Sequence, residues 1–280
     1  MNASTIFVQR HELPLGIALM FLLTWPIDLA HSEQLPLQVP FLVYLFLGWD
    51  FVIAAIVMTA LTSGQAAVAR LLGRFLIWRV GWRWFAVSLL LLPAIIAAAV
   101  FANAWINGQP LDFTNIFAHK IFGASASLPI FVIPFLLTDA ISNGEEIGWR
   151  GYVLPRLQAH HNAFVASLIL GVIWATWHVP KFLAPGNSSP FSLFFVRVVI
   201  EAVLYTWIYN NTRGSLLMTT LFHAASNTAG VFLPIANTVV GSNVTTLLFQ
   251  TALDVTAAII VVAVAGPTNL SRSLSRQTQI

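Results

Sequence analysis

The sequence predicts an all-α fold, a polytopic membrane bundle of about eight transmembrane helices. Three observations carry that prediction. Charged residues make up 8% of the 280-residue chain and hydrophobic residues 58%, against about 25% charged in an average soluble domain, too few to cover a water-facing surface. Apolar stretches of about 18 residues or more recur, the length that crosses a hydrocarbon core about 30 Å thick at about 1.5 Å per residue. Between them fall Pro, Gly and Asn clusters, as at Pro36 to Pro40, Gly108 to Pro110, His160 to Asn162, Pro185 to Pro190, Asn210 to Gly214 and Gly241 to Asn243, the residues that punctuate helices with turns.

The first apolar run, about 13–31, begins near Leu15, carries Pro26 and Asp28 and has no small-x-small cleavage site, so it is expected to stay as a helix rather than leave as a signal peptide. A second run covers about 40–63. The stretch from Ala67 to Trp84 then sets Arg70, Arg74, Arg79 and Arg83 among Leu71, Leu72, Phe75, Leu76, Trp78 and Trp82, a pattern that suits a basic helix lying in the interface. A third span is expected at about 82–104, a long kinked fourth at 121–158, and the rest at 162–179, 191–210, 215–235 and 244–265.

The thirteen basic residues are scattered and form no tract, so the net charge of +3 points to membrane topology and not to a nucleic-acid partner. With the N-terminus inside, Arg70 to Arg83, Arg156, Arg213, Arg272 and Arg276 fall on the cytoplasmic side, and the outer connections hold essentially Lys181. Both termini are therefore expected in the cytoplasm. The absence of cysteine excludes disulfides, thiolate catalysis and Cys-ligated zinc.

Ionisable groups inside spans cost about 2.5–3.5 kcal/mol each on insertion scales, so each needs a reason. Asp28, Asp50 and Asp254 read as interfacial or structural acids, and Arg197 with Glu201, spaced i,i+4, as an ion pair. His11, His31, His119, His160 and His161 lie in or near loops. Glu145 and Glu146 differ, because two adjacent acids in an apolar setting cannot both be left bare. Arg150, one turn after Glu146, can neutralise it, while Glu145 projects about 100° away as a candidate general base. A rotation of the helix by one residue exchanges these roles, and the carboxylate that faces His178 is the base.

His178 follows Trp174 by one turn. If the chain reverses at His160 to Asn162, Glu145 and His178 lie at nearly one depth on two antiparallel helices, close enough to share a water. His223 and Asn227, again i,i+4, share a helix face and can donate hydrogen bonds, and Ala224, Ala225 and Ser226 between them allow close helix approach. Taken singly, the acidic pair could simply cap a broken helix and the His–Asn pair could simply bond two helices together.

Together, Glu145-Glu146-x-x-x-Arg150, the element from Trp174 to His178, and His223-x-x-x-Asn227 resemble the motifs of the CPBP family of membrane proteases. That family includes the type II CAAX prenyl endopeptidases and the Abi proteins linked to bacteriocin processing and immunity. The resemblance covers about residues 125–235 and extends to Gly151, Tyr152 and Leu154. Trp174 stands where the family generally has Phe, a departure expected to alter packing and leave the chemistry alone.

The resemblance implies that Glu145 activates water with help from His178, that His223 and Asn227 stabilise the oxyanion, and that Glu146 and Arg150 support the site. The family is commonly labelled metalloprotease, and Glu145, His178 and His223 could ligate zinc with a fourth position open to water. There is no His-Glu-x-x-His run, and the site equally resembles a metal-free glutamate protease; the expectation leans to no cofactor. The chain then divides into N-terminal helices with the basic segment (1–120), a protease-like core (121–240) and a last span with its tail (241–280).

The implied substrate is a membrane-associated peptide or protein, prenylated and CAAX-like or bacteriocin-type, in the plasma membrane of a prokaryote. A non-catalytic immunity or binding protein on the same scaffold is the alternative. A transporter fits less well, since neither an internal repeat nor paired broken helices are evident.

Overall fold

The computed structural model describes residues 3–40, 43, 48–108, 110–114, 116–123, 129–185, 187, 189–237, 241–242 and 244–272. Helices α1 (Ala3–Arg10) and α2 (Glu12–His31) lead into α3 (Trp49–Ser63), α4 (Gln65–Gly73) and α5 (Trp82–Ile106). The short α6 (Ala118–Phe122) and α7 (Val132–Ser142) precede a π-helical segment, Ile147–Val153, that runs into α8 (Leu154–Gln158). The remainder is α9 (Ala163–Trp177), α10 (Val179–Phe182), α11 (Phe191–Asn211), α12 (Leu216–Phe232) and α13 (Val244–Ala265). A two-residue antiparallel pairing, Ala236 with Ser242 and Asn237 with Gly241, is the one strand pairing among the described residues, so the all-α class holds.

Four helices, α2, α5, α11 and α13, are long and apolar enough to cross a membrane, and α3, α7 and α9 are shorter apolar helices. The chain is an integral membrane protein. At about 1.5 Å per residue, the 15 residues of α9 rise only about 22 Å, so the shorter helices sit within the bundle's thickness and do not each match a full span.

Two expected elements differ in form. The segment 121–158 is not one kinked helix: α6 stops at Gly123, whose φ of 77° ends it, and α7 stops at Ser142, where Asn143 turns extended. Residues 124–128 lie outside the described residues. The basic stretch is helical only to Leu76, through α4 and one 3₁₀ turn. Residues 77–81 then run as a strap, because tertiary donors satisfy its carbonyls: Ser215 Oγ donates to Ile77 O at 2.7 Å and the Arg213 guanidinium to Arg79 O at 2.6 Å.

The centre of the bundle is the antiparallel pair α9 and α11. Gly171 permits their contact, since a Cβ there would meet Val199 Cα at 2.7 Å; small residues play this part at membrane helix interfaces. The start of α9 is capped by Asn162, whose Oδ1 accepts from Val165 N at 2.9 Å, and by the chain beyond α13, where Thr268 O and Pro267 O take the Ala163 and Phe164 amides. Its far end is tied to α2, with Trp25 Nε1 donating to Trp177 O at 3.0 Å and Ser32 Oγ to Pro180 O at 2.6 Å.

The acids read as interfacial or structural are inside, which favours the structural role. Asp28, Asp50 and Asp254 are all buried; Asp50 takes hydrogen bonds from the Thr24 hydroxyl and the Phe51 amide, and Asp254 lies against the expected Arg197–Glu201 pair, which closes at 2.6 Å. Apolar helix sequence alone does not reveal which side faces lipid, and these acids mark the inward side.

Candidate active site

The site begins where α7 ends. Asn143 Oδ1 accepts the Glu145 amide at 3.0 Å, replacing the helical carbonyl that the break removes. Gly144 lies so close to the Gly48 carbonyl and the Val52 side chain that no Cβ fits. The chain then enters the π-helical segment, in which each turn takes in an extra residue; such turns recur at functional sites.

The two glutamates are held differently. Glu146, 1% exposed, accepts Arg150 Nη1 at 2.9 Å and faces His223 Nδ1 at 3.0 Å, both on Oε1. Arg150 is itself fully buried, its guanidinium 4.0 Å from the Tyr205 ring centroid and 4.4 Å from that of Trp174, so ring faces take the charge that water cannot reach. Glu145, 7% exposed, receives two indole N–H groups on one oxygen: Trp174 Nε1 at 3.0 Å and, more weakly, Trp149 Nε1 at 3.4 Å, both on Oε2. Among the described residues its Oε1 accepts no such bond.

His178 closes α9, where Nδ1 lies 2.9 Å from Trp174 O. A carbonyl can only accept, so Nδ1 carries the hydrogen and Nε2 is the nitrogen left for chemistry. The same logic applies to His223, whose Nδ1 donates to Glu146 Oε1. His223, His178 and Lys181 are the charged or chargeable groups that bear on Glu145, and Lys181 and Glu145 are foremost among those that bear on His178. The geometry thus agrees with Glu146–Arg150 as the neutralised pair.

Three features lay outside the sequence reading. Trp174 is more than a packing residue, because its indole donates to Glu145 where a Phe has no donor. Trp149 does the same from within the π turn. Asp139, on α7, accepts Asn227 Nδ2 at 3.2 Å on Oδ2 and at 3.4 Å on Oδ1, so the amide read as an oxyanion donor is anchored to a neighbouring helix. A tryptophan four residues after one acid and twenty-nine after it was the available signal for the indole contacts; nothing in the sequence joins Asp139 to Asn227.

Among the described residues no group of three or more His, Asp or Glu is gathered as a metal would require. Glu145, His178 and His223 are thus not gathered as one ligand set in this structure, and no step below is routed through a metal.

Fold and site together define an integral membrane protein with a buried carboxylate–imidazole centre. Residues 124–229 match the family model described as type II CAAX prenyl endopeptidase Rce1-like. Over 151 residues the chain is 28% identical to the CAAX prenyl protease 2 of Methanococcus maripaludis, a match covering 50% of this chain and 53% of that protein. The chain spans about half the length of the curated relative it matches. The similarity to these CAAX proteases is confined to part of the chain, and it falls on the segment that carries Glu145, His178 and His223.

Proposed function

We propose that the protein is an intramembrane endopeptidase that hydrolyses a peptide bond of a membrane-associated peptide or protein. The observation that carries this reading is the unequal holding of the two glutamates: Glu146 is neutralised by Arg150 and His223, while Glu145 keeps one oxygen free beside His178. In the proposed step Glu145 Oε1, assisted by His178 Nε2, takes a proton from water as its oxygen bonds to the scissile carbonyl carbon. The carbonyl oxygen becomes an oxyanion that accepts from Asn227 Nδ2 and from Nε2–H of His223 in its imidazolium form, whose Nδ1–H stays on Glu146. The C–N bond then breaks, the proton passes from Glu145 to the leaving nitrogen, and two chain ends result.

The proposed chemistry needs no cofactor. The substrate class is a prenylated CAAX-like protein, which the name of the relative supports, or a bacteriocin-type protein; a nucleic acid is not a partner in this reading. The proposed setting is the plasma membrane of a prokaryote with both termini cytoplasmic, supported by the arginines near the strap and Arg213. His178 lies at the end of α9 away from those arginines, so a C-terminal reporter found outside would invert the assignment.

The test is to compare new peptide N-termini by mass spectrometry in host cells making equal amounts of the wild type and Glu145→Gln. A small set of membrane-anchored proteins that loses cleavage only with the variant is the expected result and names the substrate. Identical termini would refute the reading and favour a binding or immunity role.

A further inference from the structure

The strap between α4 and α5 meets the loop after α11 in a cavity of about 380 Å³ lined by Leu76, Ile77, Trp78, Arg79 and Arg213. It lies at the end of the bundle opposite His178, about one length of α9 away. Both guanidiniums are held there. Arg213 donates to Arg79 O at 2.6 Å from a backbone with φ 59°, a conformation that L residues adopt at a cost. Arg79 stacks its guanidinium 4.9 Å from the Trp78 ring centroid.

Neither arginine has an acidic partner among the described residues. Among the described residues the carboxylate bridges involve Arg150, Arg156 and Arg197, so Arg70, Arg74, Arg79, Arg83 and Arg213 stand at one end of the bundle with no ion-paired acid. Beside them Leu76 is 79%, Trp78 55% and Trp82 82% exposed, the mix of aromatic and apolar side chains that inserts at headgroup depth.

We infer that this cavity binds the phosphodiester headgroup of an anionic phospholipid, with the two guanidiniums on the phosphate oxygens and Leu76, Trp78 and Trp82 against the acyl chains. The pairing is chemically apt: a guanidinium fork fits phosphate oxygens bidentately, and basic pockets beside membrane helices take lipid headgroups. Free phosphate shares the headgroup's chemistry but lacks the chains that the exposed apolar residues would cover.

The experiment is native mass spectrometry of the delipidated full chain titrated with phosphatidylglycerol, phosphatidylcholine or inorganic phosphate. One phosphatidylglycerol should bind in preference to phosphatidylcholine. Arg79→Gln with Arg213→Gln should weaken it by about fivefold per arginine, about thirtyfold for the pair. Arg70→Gln with Arg83→Gln removes equal charge outside the cavity and should leave binding within about threefold. Arg79→Lys with Arg213→Lys keeps the charge and serves if the Gln pair fails to fold, with a fall of at least about threefold expected from loss of the forks. Equal weakening by the two Gln pairs, equal binding of both lipids, or no loss with the Lys pair would overturn the site. Phosphate competing as well as the lipid would overturn the lipid assignment in favour of a free anion.

Discussion

Replacing Arg150 by Met removes one charge from a pair that water does not reach. Arg150 is 0% exposed and Glu146 1%, and they meet at 2.9 Å. Met fills much of the space between Tyr205 and Trp174 but leaves the Glu146 carboxylate buried with His223 as its remaining partner. Breaking a buried pair from one side costs about 3–5 kcal/mol, because the surviving charge is uncompensated, against a total stability of about 5–15 kcal/mol for a typical domain. Hydrogen bonds between membrane helices average only about 0.6 kcal/mol, so the two origins are separable by size. Unfolding in mixed micelles, followed by tryptophan fluorescence, reads the difference. The double variant Glu146→Gln with Arg150→Met removes both charges and should recover to within about 1 kcal/mol of wild type. A loss below about 1 kcal/mol in the single variant, or no recovery in the double, would refute the account of Glu146 as a buried, neutralised acid.

Trp174→Phe keeps a ring and deletes the 3.0 Å donor to Glu145; a hydrogen bond to a charged group contributes about 1.5–3 kcal/mol, so kcat should fall about tenfold to a hundredfold with KM within about twofold, and the change should add nothing in a Glu145→Gln background. Asp139→Asn weakens the anchor of Asn227 and should lower kcat about tenfold at unchanged melting temperature, measured on the same substrate. Gly171→Leu places carbon against the Val199 backbone and should destabilise the α9–α11 pair by about 1–3 kcal/mol in the micelle assay.

What the sequence disclosed depended on how local each interaction is. Glu146 with Arg150 and Arg197 with Glu201 are one helical turn apart, so spacing alone paired them, and both pairs are present. The placement of Glu145 near His178 needed only a reversal at His160 to Asn162 and equal rise on two helices. The break at Asn143 and Gly144 was hidden because it lies against the backbone of Gly48, just before α3, a contact that periodicity does not encode. The strap was read as helix because its arginine spacing is amphipathic, whereas its carbonyls are satisfied by Arg213 and Ser215 from far along the chain. Asp139 was passed over for the same reason: its partner, Asn227, is joined to it only by the packing of α7 on α12.

The most direct test of the central claim uses purified chain reconstituted in vesicles with a substrate identified from the cellular comparison of N-termini. Single-turnover cleavage is followed for wild type, Glu145→Gln and Glu146→Gln, each before and after exhaustive chelation. The account predicts that Glu145→Gln lowers the rate by about a hundredfold to ten-thousandfold while it remains folded, and that chelation leaves the wild type unchanged. Cleavage by Glu145→Gln at the wild-type rate would contradict Glu145 as the base, and loss on chelation restored by zinc would contradict the metal-free mechanism.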